Sequence, residues 1–246
     1  MPSVTLPAPA GYRLLMAESS EDLSRLCAET LASAIDLALA QRDRAQIALA
    51  GGETPRPAYR RLGQEHLPWN RVDVLLGDER WVSDTDPSSN ARMVRETLMA
   101  DGPGSAACFH PVPTDQPSPV EGASAYAELL EQLCPGNPPQ FDLILLGLGD
   151  DGHTASLFPG TAAPAVADRW TTIGEGKGLP RVTLTAPVLS AARQVVFLVS
   201  GAGKRTALAR LLDPAESTER TPARLVRPHS DVLILVDPEA GADLRS

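Results

Sequence analysis

The stretch FDLILLGLGDDGHTASLFPG, residues 141–160, decides how the rest of the chain is read. Its first six residues form a short, almost wholly apolar run, the pattern of a strand buried on both faces of a parallel sheet. Glycines at 147, 149 and 152 then let the backbone turn where side chains would collide. Into that turn come two carboxylates, Asp150 and Asp151, and one imidazole, His153. Ligands of open α/β sheets bind beyond the carboxyl ends of the strands. An imidazole in that loop is therefore placed for proton transfer near neutral pH.

Gly147-Leu-Gly149-Asp-Asp-Gly152 also fits the G-x-G-x-x-G dinucleotide fingerprint. Phosphates would have to approach two acidic side chains there. The unit also lies past the middle of the chain rather than in the first βα turn, so the sequence argues against a nucleotide. A plain glycine turn, with Asp side chains capping backbone amides, accounts for the glycines and for Asp150. It leaves His153 without a reason.

Outward from this turn, apolar runs alternate with helical patterns. Residues 19–40 read as a helix capped by Ser19 or Ser20, with Leu23, Cys27, Leu31, Ile35 and Leu39 spaced along one stripe. The apolar run 47–50 leads into Gly51-Gly52-Glu53 and then a helix with Thr54 as N-cap and Pro55 at its first position. Residues 72–76 read as a strand, and a helix opens at Ser89 or Asn90 and runs to about residue 99. A helix over residues 120–133 follows, then strands over 181–185, 195–200 and 232–236, with a helix over 204–212. Such alternation implies a mostly parallel sheet with helices on both faces. Residues 101–119 hold five prolines and read as a linker or as one surface excursion within a single domain.

Composition narrows the function classes. The chain has 246 residues, 43% hydrophobic and 22% charged, enough for one large α/β domain over residues 1–246. A net charge of −9 argues against nucleic acid or an anionic membrane as partner, since both need basic surface. Cys27, Cys108 and Cys134 are odd in number and lack C-x-x-C spacing, which favours reduced thiols in a cytoplasmic protein. The four histidines show no metal-ligand spacing, and no apolar run reaches the roughly 20 residues of a membrane span. The N-terminus has no basic segment followed by an apolar core, so secretion is not expected.

Three further turns carry chemistry. Gly51-Gly52, between a strand end and a helix start, exposes backbone N–H groups to an anion, with Glu53 expected to point outward. GDERWVSDTDPSSN, residues 77–90, crowds Asp78, Glu79 and Arg80 onto the sheet's carboxyl edge. That cluster reads equally as a solvated charge cluster or an internal salt bridge. GAGKRTAL, residues 201–208, departs from a P-loop, because Leu198 stands at the first glycine position and Arg205 at the magnesium-binding hydroxyl. Lys204 there, and Arg181 before an apolar run, remain available as cations for a phosphate.

Together these motifs resemble the 6-phosphogluconolactonase family, within the glucosamine-6-phosphate isomerase/deaminase superfamily. GLGDDGHTASLFPG is its most specific match. LGDERWVSDTDPSSNARMVRETLM (residues 76–99), IALAGGETPRPAYRRL (47–62) and RVTLTAPVLSAARQVVFLVSGAGKRTAL (181–208) are similar to its other signatures. The resemblance implies a doubly wound α/β fold, no cofactor and no metal. It implies hydrolysis of 6-phospho-D-glucono-1,5-lactone by a monomer or small homo-oligomer.

On that likeness His153 is expected to act as general base, Asp151 to orient it, and Asp78 to bind sugar hydroxyls or position the water. Backbone amides of residues 147–152, with Arg80, are candidates for the oxyanion site. The resemblance places substrate binding at Gly51, Gly52, Thr54 and Arg80. It adds Asn90, Arg181 and Lys204. Ala50 and Glu53 depart from the Ser or Thr usual in the first signature. An isomerase of the deaminase type would carry a carboxylate where this chain has Phe158. A sugar-phosphate sensor would keep the anion cradle without needing the base.

Overall fold

The computed structural model describes residues 3–244. In chain order the elements are β1 (Ser3–Leu6), β2 (Tyr12–Ala17), α1 (Ser20–Leu39), β3 (Ala45–Leu49), α2 (Arg56–Leu62), β4 (Val72–Leu76), β5 (Asp78–Arg80) and α3 (Asn90–Arg95). There follow β6 (Cys108–Phe109), α4 (Pro119–Leu133), β7 (Leu143–Gly147), β8 (Thr171–Gly176), β9 (Leu179–Leu184), α5 (Ala186–Ala191), β10 (Val195–Val199), α6 (Arg205–Leu212) and β11 (Val232–Val236).

Strands β3, β4, β10 and β11 are buried along their whole length, as their apolar sequences require of a sheet covered on both faces. The main sheet runs β1-β2-β11-β10-β7-β3-β4-β6. Every neighbouring pair in it is parallel except the β1–β2 hairpin. From β3 the chain proceeds through β4 to β6 at one edge. It then returns to β7 on the other side of β3 and continues through β10 to β11. By the right-handed rule for parallel crossovers, this strand order assigns α1, α2 and α3 to one face and α4, α5 and α6 to the other. The fold is thus the doubly wound, mostly parallel α/β sheet, and the winding reverses between β3 and β7. Crevices for ligands open at such a reversal.

Local sequence explains the element ends. Ser19 caps α1 by accepting from the Asp22 N–H at 3.1 Å, with Glu21 and Asp22 in the dipole-favoured first turn. Ser89 and Ser118 cap α3 and α4 in the same way. Two fully buried tyrosines pin the strand ends that face the crevice. The Tyr59 hydroxyl donates to the Ala50 carbonyl at 2.8 Å, and the Tyr126 hydroxyl donates to the Leu76 carbonyl at 2.8 Å.

Several expectations need correction. Thr54 does not cap α2: the helix begins at Arg56, Pro55 precedes it, and the Arg56 N–H bonds to the Glu53 carbonyl. Residues 78–80 are not loop but strand β5, and the strand expected at 181–185 is not in the main sheet. Instead β5, β9 and β8 make a second, antiparallel sheet. A three-residue polar strand has no apolar alternation to announce it. The proline-rich stretch contributes β6, which pairs in parallel with β4 as the sheet's edge. Among the described residues no helix is long and apolar enough to cross a membrane.

Candidate active site

The carboxyl ends of β3, β4, β7 and β10 converge on one cleft of about 220 Å³, at the reversal of the sheet. The turn after β7 supplies its imidazole. His153 Nδ1 lies 2.5 Å from Asp151 Oδ1, and the same oxygen accepts the His153 backbone N–H at 3.0 Å. With Nδ1 held by the carboxylate, Nε2 is the nitrogen left for a ligand. Gly149 is required here because a Cβ on it would fall 2.0 Å from His153 Nδ1. Gly152, at φ +92°, adopts the left-handed backbone that closes the turn. No helix follows, as the chain runs on through turns to Thr154 and Ala155, so the dinucleotide fingerprint lacks the helix N-terminus it needs.

Burial and charge set the protonation states. Burial is the main influence on His153 and pulls its pKa below the ordinary 6.5, against the upward pull of Asp151. Burial pushes the Asp151 carboxyl up, but the bonds from His153 outweigh it and hold the group below its ordinary value. The result is a neutral imidazole beside an ionised carboxylate near pH 7. Phe158, 4% exposed, packs its ring 4.3 Å from the imidazole centroid and is part of that apolar surround.

Just past the end of β4, the first residue of β5 supplies Asp78, a buried side chain in the cleft lining. Its Oδ2 accepts from the Ser156 hydroxyl at 2.5 Å and lies 3.5 Å from Arg181 Nη1. Arg181 in turn lies over the Phe158 ring, with Cζ 5.4 Å from its centroid. Burial draws the Arg181 pKa down, and its Nε is buried without a hydrogen-bond partner. Glu79, 1% exposed, points away from the cleft. It accepts from the backbone N–H groups of Arg80, Asn90 and Ala91 and from the Ser89 hydroxyl. Burial outweighs those bonds and raises its pKa. This carboxylate seats the first turn of α3 and so places Asn90. The Asn90 side chain then donates to the Asp78 carbonyl at 2.8 Å and accepts from Arg80. Gly51 lies against it: a Cβ there would fall 1.8 Å from Asn90 Oδ1.

After β10, the Ser200 hydroxyl at 2.6 Å and the Gly201 N–H at 3.0 Å donate to buried Asp237, which follows β11. That turn leads to Lys204 on the cleft wall. The lining therefore carries Arg80, Lys177, Arg181 and Lys204 against a single carboxylate, Asp78. In a chain of net charge −9 this concentration of cations suits an anionic ligand.

The structure brings Gly51, Gly52, Thr54, Asp78 and Arg80 to this lining, together with Asn90, His153, Arg181 and Lys204. Asp151 stands behind the imidazole rather than in the wall. Glu53 points outward, 86% exposed and 3.0 Å from Arg56. The amides expected to form an oxyanion site are partly spoken for: the Gly149 N–H bonds to the His153 carbonyl and the Gly152 N–H to the Gly149 carbonyl. Sequence reasoning missed Lys177, Ser156, Ser200 and the role of Glu79. No motif marks Lys177, since Lys-Gly is not among the usual two-residue hairpin pairs.

Comparisons with known proteins give the family. The family described as "Glucosamine-6-phosphate isomerases/6-phosphogluconolactonase" matches residues 18–235. A 6-phosphogluconolactonase of a Synechocystis species is 45% identical over 214 residues, 86% of this chain and 89% of that one. One from a Nostoc species is 42% identical, over 85% of this chain and 89% of that one. The solved 6-phosphogluconolactonase of Trypanosoma brucei superposes with a TM-score of 0.84 at 31% identity, over 94% of this chain and 98% of that one. The chain belongs to the glucosamine-6-phosphate isomerase/6-phosphogluconolactonase family.

Proposed function

We propose that this chain hydrolyses 6-phospho-D-glucono-1,5-lactone to 6-phosphogluconate, the second step of the oxidative pentose phosphate pathway. The observation that carries this reading is the neutral His153, backed by ionised Asp151, in a wall that also carries four cations. His153 Nε2 takes a proton from water as the water oxygen bonds to C1. The ring C1–O5 bond then breaks, and the imidazolium returns the proton to O5, leaving a C5 hydroxyl. The new carboxyl group loses its proton to solvent. Asp151 keeps Nδ1 protonated and stabilises the imidazolium. Asp78 holds sugar hydroxyls or the water. Gly51, Gly52, Thr54, Arg80, Arg181 and Lys204 hold the substrate's phosphate end, with Asn90 fixing Arg80. Binding energy from that remote group orients C1 against the water.

A glucosamine-6-phosphate isomerase would need an acid where Phe158 lies against His153, and an apolar ring cannot serve. A sensor would have no use for the His153–Asp151 pair. The test is an assay in which glucose-6-phosphate dehydrogenase generates the lactone. Acid release above the spontaneous rate on adding this protein supports the hydrolase; saturable binding without faster release means a sensor.

The same reading takes residues 1–246 as one domain acting in the cytoplasm, as a monomer or small homo-oligomer, without nucleic acid or membrane as partner. One continuous apolar core, three unpaired thiols and the acidic net charge support it.

A further inference from the structure

Lys177 sits at the tip of the β8–β9 hairpin, the two-residue connection between Gly176 and Leu179. Its φ is +55°, followed by Gly178 at +82°, the primed turn that suits hairpin twist. Asn or Gly occupies such a position at least cost, and a lysine there works against backbone preference. The side chain nonetheless reaches the cleft wall. Its Nζ lies 3.8 Å from Asp150 Oδ1, in the same turn that carries Asp151 and His153.

Of the other cations of the wall, Arg80 is bonded to Asn90, Arg181 pairs with buried Asp78, and Lys204 follows β10 rather than the strand that carries the imidazole turn. Lys177 is thus the cation tied to the imidazole-bearing turn. Its pair with Asp150 is weak, since both side chains are more than half exposed, and so it is free to exchange partners. Hydrolysis creates negative charge at C1, first on the carbonyl oxygen and then as a carboxylate. The amides of Gly149 and Gly152 are already engaged and cannot meet it.

We infer that Lys177 is the group that receives this charge: it leaves Asp150 for the C1 oxygen as the lactone opens, and it then holds the product's carboxylate. The inference rests on the lactonase reading. It assigns Lys177 to the C1 end and the other cations to the phosphate end. The proximity is also felt electrostatically, because the Lys177 charge lowers the pKa of both His153 and Asp151, against the upward pull of Asp78 and Asp151 on His153.

The experiment uses the intact protein and two inhibitors, 6-phosphogluconate and glucitol 6-phosphate, which share the phosphate and differ in the C1 carboxylate. Absence of wild-type lactone hydrolysis overturns the functional reading and this one together. With hydrolysis present, Lys177→Met should weaken 6-phosphogluconate about tenfold, the worth of one charge-assisted bond, and lower kcat by a similar factor. Glucitol 6-phosphate should bind unchanged. Asp150→Asn, which removes the resting partner, should tighten 6-phosphogluconate alone. Equal weakening of both inhibitors by Lys177→Met would reassign the lysine to phosphate. No change in either would leave it a surface residue. Both results overturn the proposal while the enzyme stays a lactonase.

Discussion

The ring of Phe158 lies 4.3 Å from the imidazole of His153, tilted 37° to it. The contact does more than exclude an acid from that position. It keeps water from one side of the imidazole, and burial is the leading cause of the lowered His153 pKa. Phe158→Ala should therefore raise that pKa toward the ordinary 6.5, moving the acid limb of kcat/KM to higher pH. The cavity should cost about 3–5 kcal/mol of stability. Phe158→Leu, which keeps the site apolar, should restore most of the profile. A pH–rate series on both variants checks this, and an unmoved acid limb in Phe158→Ala would show that the ring does not govern the base.

Asp151→Asn tests the opposite influence. The carboxylate raises the His153 pKa, so its loss should shift the acid limb to lower pH while weakening the base and freeing the ring to turn. A fall in kcat of about 10²-fold or more is expected, within the range for general-base assistance. A profile displaced upward would contradict the assignment.

The half-buried imidazole also links stability to pH. A folded-state pKa below the unfolded 6.5 means that the unfolded chain takes up the proton first. The stabilisation is complete above pH 6.5 and is lost as pH falls through the folded value. Urea midpoints at pH 7 and pH 5 should differ more for the wild type than for His153→Gln.

How much of this was legible beforehand follows from the physics of each element. The mostly apolar runs of β3, β4, β7, β10 and β11 declared themselves, as did the glycine turn that presents His153. The strand β5 did not, because Asp-Glu-Arg carries no apolar period and pairs only through tertiary contact with β9. Nor did Glu79, whose charge suggested solvent and whose carboxylate is instead enclosed by the N-terminus of α3. Lys177 escaped notice because its reach into the cleft depends on the hairpin fold, not on any motif.

Glu79 accordingly offers a test of positioning without contact with substrate. Glu79→Gln keeps the shape but replaces one acceptor oxygen by a donor facing backbone N–H groups. A stability loss of about 1–3 kcal/mol is expected from the unsatisfied groups. KM for the lactone should rise through displacement of Asn90 and Arg80, with the His153 pH limb unmoved. Denaturant titration and initial rates measure both.

Phosphate reading is separable from chemistry. Lys204→Ala should raise KM for the phosphorylated lactone, with little effect on unphosphorylated gluconolactone. Equal effects on the two substrates would mean that Lys204 does not face the phosphate.

The most direct measurement is kcat of His153→Ala on 6-phospho-D-glucono-1,5-lactone, with circular dichroism confirming the fold. Loss of the base should lower kcat by about 10²–10⁴-fold. A folded His153→Ala protein that turns over at the wild-type rate would contradict the account at its centre.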